Sequence, residues 1–350
     1  MKSIYKSIGE LVERIDQRNT DGSVTNLIGV SIDKKFISSV ANVIGTDLTK
    51  YKVIEKYDFA VSLMQVSRDE KIPVACQKEF DKAIMSPAYP IFRVKDKSVV
   101  LPEYLEMWFM RPEFDREASF IAVGGVRGSM PWEEFANMKL PVPSIDEQLE
   151  IVNAYKAITD RIALKKQIND NLEAMLTAVF FDTFSPKKTA EHSKLSELMS
   201  FGNGKSRPKT DGTIPVYGGN GVLSYTDQYN IENAILVGRV GAYCGSVYLE
   251  QGICWVSDNA IFAKSKLSKD EFFDYFLLKS LNLFNHHVGT GQQLLTQEIL
   301  NNIEVAKPDY EQIEAFNDKA KAVYETITAN KSEIVRLKEL SDLLLSRLAG

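Results

Sequence analysis

The 350-residue sequence has only three cysteines and three histidines, no apolar run near the ~20 residues of a membrane span, and no excess of basic charge. Cys76, Cys244 and Cys254 are odd in number, lack CxxC spacing and stand in apolar or glycine-rich surroundings. They argue against a disulfide framework and a zinc site, and read as buried thiols. His286 and His287 are adjacent, so they point in different directions, and Asn and Val flank them rather than carboxylates. No metal site is expected. The opening Met-Lys-Ser-Ile-Tyr-Lys is too polar for a signal peptide, so a cytoplasmic protein without membrane contact is expected.

The balance of 42 Lys and Arg against 47 Asp and Glu gives a net charge of -5, which at face value speaks against a nucleic-acid partner. Its distribution changes that reading. Residues 1–143 and 186–308 are each neutral, while 144–185 and 309–350 carry -3 and -2. Two neutral segments can each present a basic face, and Lys205, Arg207 and Lys209 form one local cluster.

What the sequence does have is a repeat. Gly124–Pro143 aligns without a gap on Gly289–Pro308 at an offset of 165, matching Met130 with Leu295, Glu133 with Glu298 and Asn137 with Asn302. After one dropped residue, Glu147-Gln148 recurs as Glu311-Gln312. Upstream, Ile8-Gly-Glu-Leu-Val resembles Leu195-Ser-Glu-Leu-Met, and Ala88-Tyr-Pro-Ile-Phe resembles Asp258-Asn-Ala-Ile-Phe. A period this long makes the chain two copies of one unit, each a globular part followed by a helix.

The helices carry the clearest periodicity. A 4-3 spacing from Ile151 selects Tyr155, Ile158, Ile162, Lys165, Asn169, Leu172, Leu176 and Val179. From Phe316 it selects Ala320, Val323, Ile327, Asn330, Ile334, Leu337, Ser341 and Leu344, with Leu348 beyond. Such a narrow stripe predicts two long helices in an antiparallel coiled coil, with Pro143 and Pro308 just ahead of them. Lys165 and Asn330 fall at the stripe midpoints and are expected to meet and fix the register, the alternative being that Lys165 snorkels out of the seam. The globular parts read as α/β or α+β, with β-rich stretches such as 234–240 and helical ones such as 101–110 and 269–281. The expected division is 1–143, 144–185, 186–308 and 309–350: module, helix, module, helix, related by an internal pseudo-two-fold repeat.

Two globular modules alternating with two long helices, each helix introduced by a Pro and a Glu-Gln pair, resemble the specificity subunits of type I restriction-modification systems. Further phrases fit: Ile214-Pro-Val-Tyr-Gly-Gly-Asn-Gly221 with Tyr225, Ile235-Leu-Val-Gly-Arg-Val-Gly241, and Gly289-Thr-Gly-Gln-Gln-Leu. The first module departs in detail, with Gly124-Gly-Val-Arg-Gly-Ser in place of the last phrase and no Tyr-Gly-Gly-Asn-Gly. The resemblance implies that each module is a target-recognition domain reading one half of an asymmetric bipartite site in double-stranded DNA, with the helices as spacer. It also implies docking to two methyltransferase subunits and to restriction (translocase) subunits. S-adenosylmethionine, ATP and Mg would then sit on those partners, and no cofactor on this chain.

Base edges are read by Arg, Lys, Asn and Gln, and phosphates are held by Lys, Arg, backbone N–H groups and small hydroxyls. Glycine-flanked loops offering these groups are the candidates: Arg127 and Ser129 in the first module; Tyr217, Asn220, Arg239, Thr290, Gln292 and Gln293 in the second, with Lys205, Arg207 and Lys209 suited to phosphates. Each also reads as a structural turn with a solvated polar residue.

Catalytic signatures are missing. A methyltransferase fused to its own reader needs an Asn/Asp-Pro-Pro-aromatic tetrapeptide, and no Pro-Pro occurs. Gly204-Lys205-Ser206 imitates the end of a phosphate loop, but Met199 stands where its first glycine belongs. Gly238-Arg-Val-Gly241 is half of a dinucleotide fingerprint, its third glycine displaced to Gly245. A non-catalytic DNA reader is therefore expected. The competing reading is a protein–protein scaffold with two binding modules on a coiled-coil ruler.

Overall fold

A computed structural model describes residues 4–39, 46–64, 66–124, 128–184, 191–289 and 291–349. The chain divides into two compact units, Met1–Leu164 with Glu333–Gly350, and Lys165–Ser332. Each unit thus takes one globular module and part of each long helix. The reason is burial: apolar residues of each helix segment belong to the core of the module beside them.

In the first unit, the antiparallel pair Ile4–Ser7 and Lys139–Val142 leads into a short helix, Ile8–Leu11. A four-stranded antiparallel sheet follows, in the order Val12–Ile15, Ile91–Val94, Phe59–Val61, Val74–Cys76. Helices Pro102–Phe109, Pro112–Ile121 and Trp132–Asn137 complete the module, the first two opening on a proline whose fixed φ and missing N–H suit a first turn. The core is aromatic: Phe59 stacks on Phe92 at 5.2 Å between centroids, with Phe109, Phe114, Phe135 and Trp132 around them. Leu345 and Leu348, from the end of the chain, are buried in the same core.

The second unit repeats this frame. His192–Lys194 pairs with Glu304–Ala306, the short helix Leu195–Leu198 follows, and Phe272–Ser280 and Gln297–Asn301 stand where Pro102–Phe109 and Trp132–Asn137 stand in the first. Its sheet is different, with six strands in the order Met199–Asn203, Ala260–Ser265, Ile231–Gly238, Val247–Val256, Ile214–Gly218, Gly221–Thr226. All pair antiparallel except Ile214–Gly218 against Val247–Val256. Phe180 packs with Phe273, Phe276 and Phe316 in its core, so both long helices contribute here too.

The long helices span Ile145–Phe184 and Tyr310–Ser346. Every residue of the two expected stripes is buried or half-buried, while their flanks are largely exposed. Within each unit the helices run antiparallel. In the first, Arg161 donates to Glu333 at 2.6 Å, and Ile151 and Leu344 pack against one core. In the second, Lys165 Nζ donates to Asn330 Oδ1 at 2.8 Å, and Phe180 meets Phe316 at 5.7 Å. The expected polar contact in the seam is therefore present, and Asn330 extends it by donating to Asn169 Oδ1 at 2.8 Å.

The repeated Glu-Gln mark has two different uses. Glu147 closes a capping box with Ser144, and the buried Gln148 accepts from Leu101 N at 2.9 Å while donating to the Val99 and Pro143 carbonyls. That bond fixes the start of helix Pro102–Phe109. In the second helix Asp309 does the capping and Gln312 is exposed. The pinning of helix Phe272–Ser280 falls instead to Asn317, 1% exposed, whose Oδ1 accepts from Phe273 N at 2.8 Å.

Candidate nucleic-acid interface

In the second unit the turn Ser257–Asn259 acts as a hub at one end of the six-stranded sheet. Ser257 N donates to the Tyr217 carbonyl at 2.9 Å, and Lys205 forms a parallel bridge to Ser257. The Lys205 amide donates to Val256 O at 2.9 Å, and its carbonyl accepts from Trp255 Nε1 at 3.3 Å. Arg239 N donates to Asn259 O at 3.0 Å, and Gly241 N to the Gln293 carbonyl at 3.0 Å. Glycine is required where these segments cross: a Cβ on Gly238 would lie 2.1 Å from the Tyr243 carbonyl oxygen. The two-residue turn Gly219-Asn220 joins Ile214–Gly218 to Gly221–Thr226, and its Gly219 faces the carbonyls of Asn259 and Val240.

The geometry therefore gathers Lys205, Asn220, Arg239 and Gln293, four groups spread over 89 residues, around one turn. Lys205 and Asn220 are exposed, as is Gln292 in the adjoining loop. Arg239 is half-buried. One guanidinium nitrogen reaches the Asp258 carbonyl at 3.4 Å, while Nε is buried without a partner. A buried donor left open in this way is costly unless a ligand completes it, which suits a base edge or a phosphate.

The expected site also needs correction. Tyr217 is 9% exposed, lies in a core cluster with Ala234, Leu236 and Cys254, and donates its hydroxyl to Glu250 at 2.9 Å. Burial, then the Glu250 carboxylate, holds its phenol far above the ordinary range. It supports the hairpin from beneath and leaves the candidate set. Arg207 and Lys209 are exposed, but the segment runs away from the hub to Thr210, which bonds Thr226 and Asp227 at the far end of the hairpin. The cation run is thus spread along the module. Lys205, Arg207 and Lys209 form no ion pair with the described residues.

In the first unit Ser129 is half-buried next to Gly128, whose φ of +72° and close approach to Ser67 hold the segment against helix Val66–Asp69. Arg127, like Thr290 in the second unit, lies outside the described residues. Two further exposed groups belong to the hub, Tyr243 and Asn259. The signal that points to Tyr243 is its position between Gly241 and Gly245. Asn259 is marked only by its place in the repeat opposite Tyr89.

Residues 187–339 match the family described as type I restriction modification DNA specificity domain. The chain is thus matched by that family over less than half of its length. It is 24% identical over 204 residues to the type I restriction enzyme HindI specificity subunit of Haemophilus influenzae, covering 55% of this chain and 44% of that one. It is 21% identical over 302 residues to the MjaIX specificity subunit of Methanocaldococcus jannaschii, covering 72% and 69%. The chain therefore spans less than half the length of the first relative and about two thirds of the second. The crystal structure of a type I restriction-modification S subunit from M. genitalium shares the fold, with a TM-score of 0.60 at 14% identity over 99% of this chain and 96% of that one.

Proposed function

We propose that this specificity-subunit chain reads double-stranded DNA for a type I restriction-modification complex, one half of a bipartite asymmetric target per module. The observation that carries the reading is the hub around Ser257–Asn259. There, paired-bond donors of the kind that recognise guanine and adenine edges collect on glycine-rich turns, and one buried guanidinium nitrogen has no partner. The divergence of the two sheets inside one repeated frame fits two different half-sites. The chain acts in the cytoplasm and supplies no chemistry of its own. Two methyltransferase subunits using S-adenosylmethionine, and restriction subunits using ATP and Mg, act where it directs them.

Salt dependence tests this against the scaffold reading. If DNA is the ligand, affinity of the complex purified through this chain falls linearly with log salt, about a hundredfold from 50 to 200 mM for some four phosphate contacts. Lys205→Ala lowers that slope by about one. Affinity that ignores salt, with no sequence preference, refutes the proposal and favours the scaffold. Because the modules are neutral overall, the isolated chain is expected to bind less tightly than the complex.

A further inference from the structure

The candidate reading loop of each module begins and ends alike. At the offset of 165, Val123-Gly124 matches Val288-Gly289 and Met130 matches Leu295. Met130 and Leu295 are buried, at 3% and 0%, whereas Val123 and Val288 are exposed, at 74% and 50%. A lone exposed valine carries no meaning, since folded proteins leave many apolar atoms in water. The same residue left exposed at the same position of the sequence repeat, in a 3-10 turn in the first module and on a β-bridge in the second, is a different matter. The modules have otherwise diverged there, so common packing needs do not explain it. Each valine also follows an exposed phenylalanine, Phe120 at 81% and Phe284 at 41%.

Val288 is not exposed through a loose backbone. Its N–H donates to Leu294 O at 2.9 Å, and its carbonyl accepts from Leu294 N at 3.0 Å. Leu294 is bridged in turn to Val240, next to Arg239, and Leu295 N donates to the Arg239 carbonyl at 2.9 Å. A β-branched side chain on a backbone held by a β-bridge has few rotamers to lose. It presents a preorganised apolar tip among groups able to bond base edges. In the major groove the apolar feature that distinguishes one base pair from another is the thymine C5-methyl group.

We propose that Val288, and Val123 in the first module, each contact a thymine C5-methyl group, making them specificity-determining residues. This rests on the DNA-reading function proposed above. The test uses two random-sequence duplex libraries, one synthesised with thymine and the other with uracil, selected by the complex purified through a tag on this chain. Wild-type complex is expected to enrich at least one thymine position in each half-site and to lose about fourfold at that position in the uracil library, the worth of one buried methyl group. Val288→Ala abolishes the thymine-over-uracil preference in one half-site only, Val123→Ala in the other, and Val288→Thr, which keeps one methyl, retains part of it. Equal enrichment from both libraries by wild type overturns the inference while leaving DNA reading intact. So does a Val288→Ala complex that keeps the full preference. No enrichment from either library removes the proposed function, and this inference with it.

Discussion

The first and second units share a frame and differ in what the frame carries. Strand pair, short helix, long-helix contact and the helix before the long helix recur in both. The sheets do not, four strands in one and six in the other. The difference extends to single buried positions. Tyr104, in helix Pro102–Phe109, has its hydroxyl satisfied by the Pro141 carbonyl at 3.0 Å. In helix Phe272–Ser280 of the second unit Asp274 is 1% exposed, with Oδ1 lacking a partner. Among the described residues, buried polar atoms without a partner occur in both units, on Trp108, Arg111 and Glu113 in the first and on Ser224, Arg239, Ser257 and Asp274 in the second. A duplicated scaffold keeps what holds the helices and lets the rest diverge.

The largest expected effect that would break this comparison is in the hub. Gly238→Val places side-chain atoms against the Tyr243 backbone, and is expected to destabilise the second unit by more than about 4 kcal/mol. Hydrogen exchange should show protection lost in the six-stranded sheet and kept in the four-stranded one. Equal loss in both would contradict the division into two compact units.

Next comes Asp274. Burial pushes its carboxyl up to about 7, with the Glu271 charge adding and the Ser265 hydroxyl opposing. A folded-state value above the unfolded one means the native state holds the proton more tightly, so the contribution to stability is full below about pH 4 and is lost as pH rises towards 7. Asp274→Asn should therefore raise the thermal midpoint at pH 8, by the equivalent of a few kcal/mol at most, with the gain vanishing near pH 4. Melting curves at a series of pH values check this, and a gain independent of pH would contradict it.

Smaller effects separate the two uses of one sequence mark. Gln148→Leu strands the buried Leu101 N–H and should cost about 1–3 kcal/mol, as should Asn317→Leu at Phe273. Gln312→Ala, though it changes the aligned glutamine, should stay within about 0.5 kcal/mol in urea titrations. The smallest shift is in the seam. Replacing Lys165 and Asn330 together by leucine should leave stability unchanged or slightly higher, at the cost of register specificity seen as a broader oligomer distribution in sedimentation.

Much of this was legible in the residues. The long helices follow from stripes whose period admits little else, and the Lys165–Asn330 contact from the midpoints those stripes share, whereas the antiparallel sense is read from the contacts themselves. The repeat followed from the offset of 165, because a frame held by burial keeps its pattern. The sheets were not legible, since short strands between glycine turns do not state their partners. That Lys205, Arg239 and Gln293 converge on Ser257–Asn259 depends on long-range pairing that no local spacing encodes. Tyr217 misled because a tyrosine beside three glycines looks exposed, whereas its partner Glu250 lies 33 residues away. The role of Asn317 was hidden for a related reason, because the glutamine aligned with Gln148 is not the residue that inherits its work.

The most direct measurement exchanges residues 186–308 for the matching module of a relative and maps the DNA sequences the resulting complex selects. The account predicts that one half of the bipartite target changes and the other half stays as it was. Change in both halves, or in neither, would contradict the claim that each module reads its own half-site.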